Sequence, residues 1–208
     1  MWEILGNYPA ESFLAFLGGG LVVNLTPGQD IFFATASGIQ GGPRVGMMAG
    51  LGVGLGALWH VVLAALGLSA LIAAHPEALV AIKYAGASYL LVLAWKSWRD
   101  SGQISAGKGA RTGWAAFRRG ALTNMLNPKP ILFMLAFLPQ FVIPALGLVW
   151  MQIVLLGTVF GITGTCVTAG FGYVAGHAGR AIGARMGLLN RVAAVLFAGL
   201  AARLILAE

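Results

Sequence analysis

The chain has 208 residues, 59% of them hydrophobic and only 9% charged, against roughly 25% charged in an ordinary soluble domain. Its apolar residues gather into long runs, and at about 20 residues per bilayer crossing there is room for about six spans and little else, which excludes a large soluble core. The net charge of +7 does not mark a nucleic-acid binder, because the basic residues flank apolar runs instead of forming one face with interleaved aromatics.

The spans fall at residues 12–38, 44–74, 79–98, 120–143, 148–176 and 188–206. The first follows the acidic stretch "MWEILGNYPAES". A cleavable signal peptide wants a basic start, so this run is expected to be a retained span. "GIQGGPR" joins it to the second, whose stretch "VVLAALGLSALIAA" has no polar face. The second span also carries Gly46, Gly50 and Gly54 at four-residue spacing, with Gly52 and Gly56 as another set. Small residues at that spacing let helices approach closely and predict packing seams. These glycines are no nucleotide loop, since they follow no predicted strand and no P-loop lysine comes after them. "HPEA" separates spans two and three, and His75 beside Pro76 needs no function. The one real loop is "RDSGQISAGKGARTGWAAFRRG", read as solvated and flexible. "PQFVIPALG" joins spans four and five, and Gly157, Gly161, Gly172, Gly176, Gly179, Gly183 and Gly187 continue the small-residue theme. The single cysteine, Cys166, excludes an intramolecular disulfide, and His60, His75 and His177 are too dispersed for a compact metal motif.

Lys96, Arg99, Lys108, Arg111, Arg118 and Arg119 lie between spans three and four, Arg180, Arg185 and Arg191 between five and six, and Arg44 between one and two. With six spans these joints share one side, which the positive-inside rule makes cytoplasmic. The other side receives Glu3, Glu11, Glu77 and Glu208, with Lys83 and Arg203 as almost its only cations. Both termini then face outward.

Two polar interruptions stand out. "NLTPGQD" breaks the first span, and "NMLNPKP" breaks the fourth. Aligned, Gly20 meets Gly120, Asn24 meets Asn124 and, after a one-residue gap, Pro27 meets Pro128. Each stretch opens a set of three spans. Because three is odd, the second set enters from the opposite side, the inverted repeat of many secondary transporters. Pro27 frees the carbonyl of Val23, Pro128 that of Asn124 and Pro130 that of Leu126. Freed carbonyls in hydrocarbon must face protein, water or ligand. Gly28 exposes backbone, and Asn24, Thr26, Gln29, Asn124 and Asn127 supply donors and acceptors, so the breaks together can grip a small zwitterion. A kink satisfied internally by the same side chains is the plainer reading. Asp30, a carboxylate within a span, must be paired, hydrated or protonated. It is expected to carry a proton or hold a substrate amine, or else to cap a half-helix. Lys129 is expected to bind a substrate carboxylate, neutralise Asp30, or snorkel to water. His60, inside span two, is a proton shuttle or a packed histidine.

At these residues the chain resembles the LysE/RhtB amino-acid exporter family. The family's Thr-Pro-Gly-Pro-Asn/Asp box is matched by Thr26, Pro27, Gly28, Gln29 and Asp30. "GIQGGPRVG", "GLGVGLG" with His60, residues 83–99, "RRGALTNMLNPKPILFMLAFLPQFV" and the ending "NRVAAVLFAGLAARLILA" look like its later stretches. The resemblance implies a bacterial inner-membrane exporter of lysine, arginine, threonine, homoserine, leucine, cysteine or similar compounds, driven by the proton motive force, with a topology described as five or six spans. Gln29 departs from the pattern, where a second proline is usual, and this bears on substrate identity more than on transport.

The expected fold is therefore an all-α integral membrane protein of six transmembrane helices in two inverted three-helix repeats. Residues 1–98 form the first repeat, 99–119 a cytoplasmic basic loop and 120–208 the second repeat. The expected function is proton-driven amino-acid efflux without cofactor, catalytic residue or metal. Candidate substrate or coupling residues are Asn24, Thr26, Pro27, Gly28, Gln29, Asp30, His60, Asn124, Asn127, Pro128 and Lys129. Asp30 suits the substrate ammonium, and Lys129 with Asn124 and Asn127 suits the carboxylate. No second deep carboxylate is present to hold a cationic side chain, which leans toward a small neutral amino acid, although freed carbonyls can also hold a cation. The alternatives are an exporter of a basic amino acid or metal ion and an intramembrane enzyme, for which Asp30 and His60 are only a weak pair. The partners are an amino acid, protons and lipid, with no nucleic acid and with a homo-oligomer left open.

Overall fold

A computed structural model describes residues 7–75, 78–102, 109–181 and 185–206. Glu3, Pro76, Glu77, Lys108, Gly183 and Glu208 lie outside them. The described residues form an all-α, membrane-spanning bundle of helices α1 (Ala10–Leu25), α2 (Gln29–Gly41), α3 (Pro43–Ala74), α4 (Ala78–Arg99), α5 (Gly113–Met125), α6 (Pro128–Phe137), α7 (Val149–Ala178) and α8 (Met186–Leu206). Short 3-10 turns at Leu138–Phe141 and Pro144–Leu146 join α6 to α7.

The prolines decide where the first and fourth spans are cut. Pro27 stops α1, and Thr26 and Gly28 run extended before α2 begins. Pro128 sits at the first position of α6, where its missing N–H costs nothing. Asn127 caps that helix by accepting a hydrogen bond from Lys129 N at 3.0 Å. The two halves there are bent by 46°. These cuts change the count of clean crossings. Among the described residues three helices, α3, α7 and α8, are individually long and apolar enough to cross a membrane, and the bent α5–α6 pair makes a fourth. α1 is apolar but shorter.

α5 begins at Gly113, earlier than the start expected at residue 120. The extra turns have a packing partner that loop-like composition hides. Ala116 is fully buried with Phe33, Ala34, Ala49 and Ala110, and Gly52 of α3 leaves room for the Phe117 carbonyl. The end of the basic loop is likewise anchored, since Ala110 N donates to Ser37 Oγ at 3.0 Å.

α3 and α7 form the centre of the bundle. Both glycine sets of α3 are seams, and they face different helices. A Cβ on Gly46, Gly50 or Gly54 would collide with Gly172, Ala169 or Thr165 of α7, and one on Gly52 or Gly56 would collide with Phe117 or Ala121 of α5. His60 continues the second row, one turn beyond Gly56. The core beside the seams is aromatic, with Phe133 stacked between Phe137 (4.8 Å) and Phe160 (4.9 Å). α3 is apolar on both sides. Val61, Ala64, Leu68 and Ile72 face inward, while Leu58, Val62 and Leu66 are exposed, as expected where the solvent is lipid. Ahead of α1, the Tyr8 hydroxyl donates to the Phe141 carbonyl, and burial pushes its phenol up to about 12.

Candidate functional site

The two proline breaks meet in the middle of the bundle and are stitched together by side chains. Asp30 occupies the first turn of α2, where the amide end of the helix favours a negative charge. Its Oδ2 accepts from Asn124 Nδ2 at 2.9 Å and from Asn127 Nδ2 at 3.0 Å. Both asparagines come from the other break, three residues apart on either side of its bend. Asp30 Oδ1 is buried with no hydrogen-bond partner.

Lys129 makes the reciprocal link. It stands in the first turn of α6, where a positive charge is poorly placed for its own helix dipole. Its side chain leaves that end and reaches the carbonyl end of α1. There Nζ donates to Val23 O and to Thr26 O, each at 2.9 Å. Val23 O is the carbonyl that Pro27 deprives of its helical donor. The hydrogen bonds of the Lys129 ammonium thus go to backbone here.

The carbonyl freed by Pro128 is treated in parallel. Asn124 O lies 2.8 Å from His60 Nε2 and also accepts from Asn127 N at 2.9 Å. Asn24 ties α1 to α7, with Nδ2 donating to Phe160 O at 3.1 Å and to Thr163 Oγ1 at 3.0 Å. Thr26 Oγ1 bonds back to Val22 O at 2.6 Å.

A cavity of about 40 Å³ lies at the junction, enough for a few waters and too small for an amino acid. Seven of the sequence candidates line it: Asn24, Thr26, Gly28, Asp30, Asn124, Asn127 and Lys129. The other four do not. Pro27 is buried within the break, Gln29 and Pro128 are exposed, and His60 is 2% exposed behind the Asn124 carbonyl. Gln29, which departs from the box, thus adds its amide outside the cavity.

The sequence reading missed the wall supplied by α7. Phe160, Gly161, Gly164, Thr165 and Thr168 line the cavity, and Thr163 holds Asn24. The available signal was a run of threonines at 163, 165 and 168 inside an apolar, glycine-rich span. Among the described residues no group of three or more His, Cys, Asp or Glu side chains is arranged to hold a metal ion.

The family model described as LysE type translocator matches residues 21–208. An uncharacterized membrane protein of Vibrio cholerae is 33% identical over 172 residues, covering 82% of this chain and 83% of that protein. A homoserine/homoserine lactone efflux protein of Salmonella typhimurium is 36% identical over 138 residues, covering 64% of this chain and 66% of that protein. A leucine efflux protein of Klebsiella pneumoniae is 32% identical over 145 residues, 67% of each chain. No solved structure matches.

Proposed function

Because the chain belongs to the LysE/RhtB amino-acid exporter family, matched over residues 21–208, we propose that it is a secondary transporter that exports a small neutral amino acid at the expense of the proton motive force. It is a multi-pass membrane protein of the bacterial inner membrane. The observation that carries the reading is the junction itself. Asp30, Asn124, Asn127 and Lys129 join two helix breaks around one cavity, and a carboxylate with a free oxygen inside a span is where a proton can be taken up and released.

The same reading includes two inverted repeats, residues 1–98 and 120–208, with the basic segment 99–119 on the cytoplasmic side. Packing supports it. The second helices of the halves pair (α3 with α7), as do the third (α4 with α8), and each broken span packs on the other half's second helix. The aligned residues have matching neighbours. Gly20 faces Phe160 of α7 and Gly120 faces Ala49 of α3, while Asn24 lies against Gly164 and Asn124 against Gly56. α4 has 22 residues and rises about 33 Å, the thickness of a bilayer core.

Homoserine and leucine, the cargoes named for the Salmonella and Klebsiella relatives, are small and uncharged in the side chain. A basic amino acid is the second reading, because the break already holds one primary ammonium, that of Lys129. Vesicles preloaded with labelled amino acids and given a proton gradient test both. Efflux of threonine, homoserine or leucine, competed by other small neutral amino acids, is expected. Lysine or arginine outcompeting every neutral amino acid would overturn the substrate class, and absence of efflux across the panel would overturn the transport reading.

A further inference from the structure

Lys129 does more than cross-link the breaks. Its Nζ is a primary ammonium held by two backbone carbonyls at the end of a helix, 2.9 Å from each. Val23 O lacks its i+4 helical donor because of Pro27 and keeps from the backbone only a long bond from Thr26 N, at 3.3 Å. Thr26 O points out of the extended residues between α1 and α2, where no continuing helix reaches it. Two carbonyls at the negative end of a helix dipole suit a cation with N–H groups to donate. Val23, Thr26 and Lys129 all line the cavity, so an incoming molecule reaches the carbonyl pair and its occupant from the same space. A primary ammonium on a carbon chain is also what every free amino acid presents.

We propose that Val23 O and Thr26 O form a binding site for a primary ammonium, that Lys129 fills it in the closed arrangement, and that the α-ammonium of the cargo takes it over by displacing Lys129. The exchange is like for like, so Val23 O is not left with its 3.3 Å bond from Thr26 N alone, and the Thr26 carbonyl keeps a donor in the membrane, where losing it would be costly. The released Lys129 remains at the cavity wall, beside the position the cargo carboxylate must occupy. Its departure also removes the link from α6 to the end of α1. Among the described residues, Asp30 with Asn124 and Asn127 is then the remaining side-chain stitch between the breaks. Loading and loosening of the two halves become one event. The identity of the displacing ammonium rests on the exporter reading, but the ammonium site itself does not.

The two parts are tested separately with purified Lys129→Ala protein. The truncation vacates the volume of a propylammonium ion. Propylammonium should raise the thermal midpoint of the variant by about 4 °C at tenfold its dissociation constant and leave the wild type nearly unmoved. Tetramethylammonium, which has charge but no N–H, should do nothing at equal concentration. If the variant does not survive extraction alone, the same two cations are compared for the yield of monodisperse protein, and propylammonium should restore it. Equal effects of the two cations would overturn the ammonium site. In the rescued variant, a small neutral amino acid should compete with propylammonium and its N-acetyl derivative should not. Rescue by propylammonium with no competition from any amino acid would overturn the displacement step and count against the exporter reading while leaving the ammonium site standing.

Discussion

His60 Nε2 lies 2.8 Å from the carbonyl oxygen of Asn124, the carbonyl that Pro128 strips of its helical donor. A carbonyl only accepts, so Nε2 carries the proton. In the neutral ring Nδ1 is then bare, and it is buried without a partner. Through this bond His60 caps the second break.

The consequence is measurable. His60→Phe fills the volume but removes the donor, and Asn124 O is left with its backbone contacts from Leu126 N and Asn127 N. Loss of one such buried bond costs about 1 kcal/mol, or about 2–4 °C in thermal midpoint for a protein of this size. His60→Gln retains an N–H and should stay within about 1 °C of wild type. Thermal unfolding of the two variants checks this. Equal losses would show that ring packing, not the hydrogen bond, is what His60 provides.

The glycine seams give a second contrast. A Cβ on Gly46 would overlap the backbone of Gly172, whereas one on Gly67 meets nothing within 4 Å. Gly46→Ala must push α3 and α7 apart and should cost about 1–3 kcal/mol. Gly67→Ala changes only helix propensity and should be neutral or stabilising by up to about 1 kcal/mol. Unfolding midpoints in the same detergent check the order, and a Gly67→Ala loss as large as that of Gly46→Ala would refute the seam.

The contrast between what was and was not readable in the sequence has physical causes. The breaks are legible because proline has one effect on the carbonyl four residues back wherever it stands. The two glycine rows are legible because helical spacing separates them onto two faces. The partner of Lys129 is not, since a flexible four-carbon stem can turn toward Asp30, water or backbone, and spacing does not choose among them. The threonines of α7 are hidden because a span tolerates hydroxyls that bond back to their own helix, as Thr165 does to Gly161 O at 2.7 Å. The early start of α5 is hidden for another reason. Its first turns are stabilised by contacts with Ala49 and Gly52 of α3, far away in sequence.

Orientation is open to direct labelling. The proposed orientation puts the α4–α5 connection on the cytoplasmic side, which its basic density favours, and the turn between α6 and α7 outside. In a Cys166→Ser background, Ser101→Cys and Ala145→Cys both sit at exposed positions. An impermeant maleimide added to intact spheroplasts should label Ala145→Cys at least tenfold faster than Ser101→Cys. The reverse order would invert the topology.

The sharpest expectation concerns Asp30. Its Oδ2 accepts two amide hydrogen bonds, from Asn124 and Asn127. The side-chain oxygen of an asparagine can accept the same two, so Asp30→Asn should keep the breaks stitched and the protein inserted. What it removes is the exchangeable proton. If that proton couples transport, the variant loses efflux driven by a pH gradient by roughly 100-fold, the scale on which a positioned proton-transfer group acts, while cargo exchange without a gradient persists. His60→Gln, which disturbs only a cap, should lower gradient-driven efflux far less. The measurement compares the two variants and wild type in vesicles at equal protein abundance, with and without the gradient. Equal gradient-driven efflux by wild type and Asp30→Asn would reduce Asp30 to a cross-link between the two breaks, because its hydrogen bonds would then matter and its charge would not.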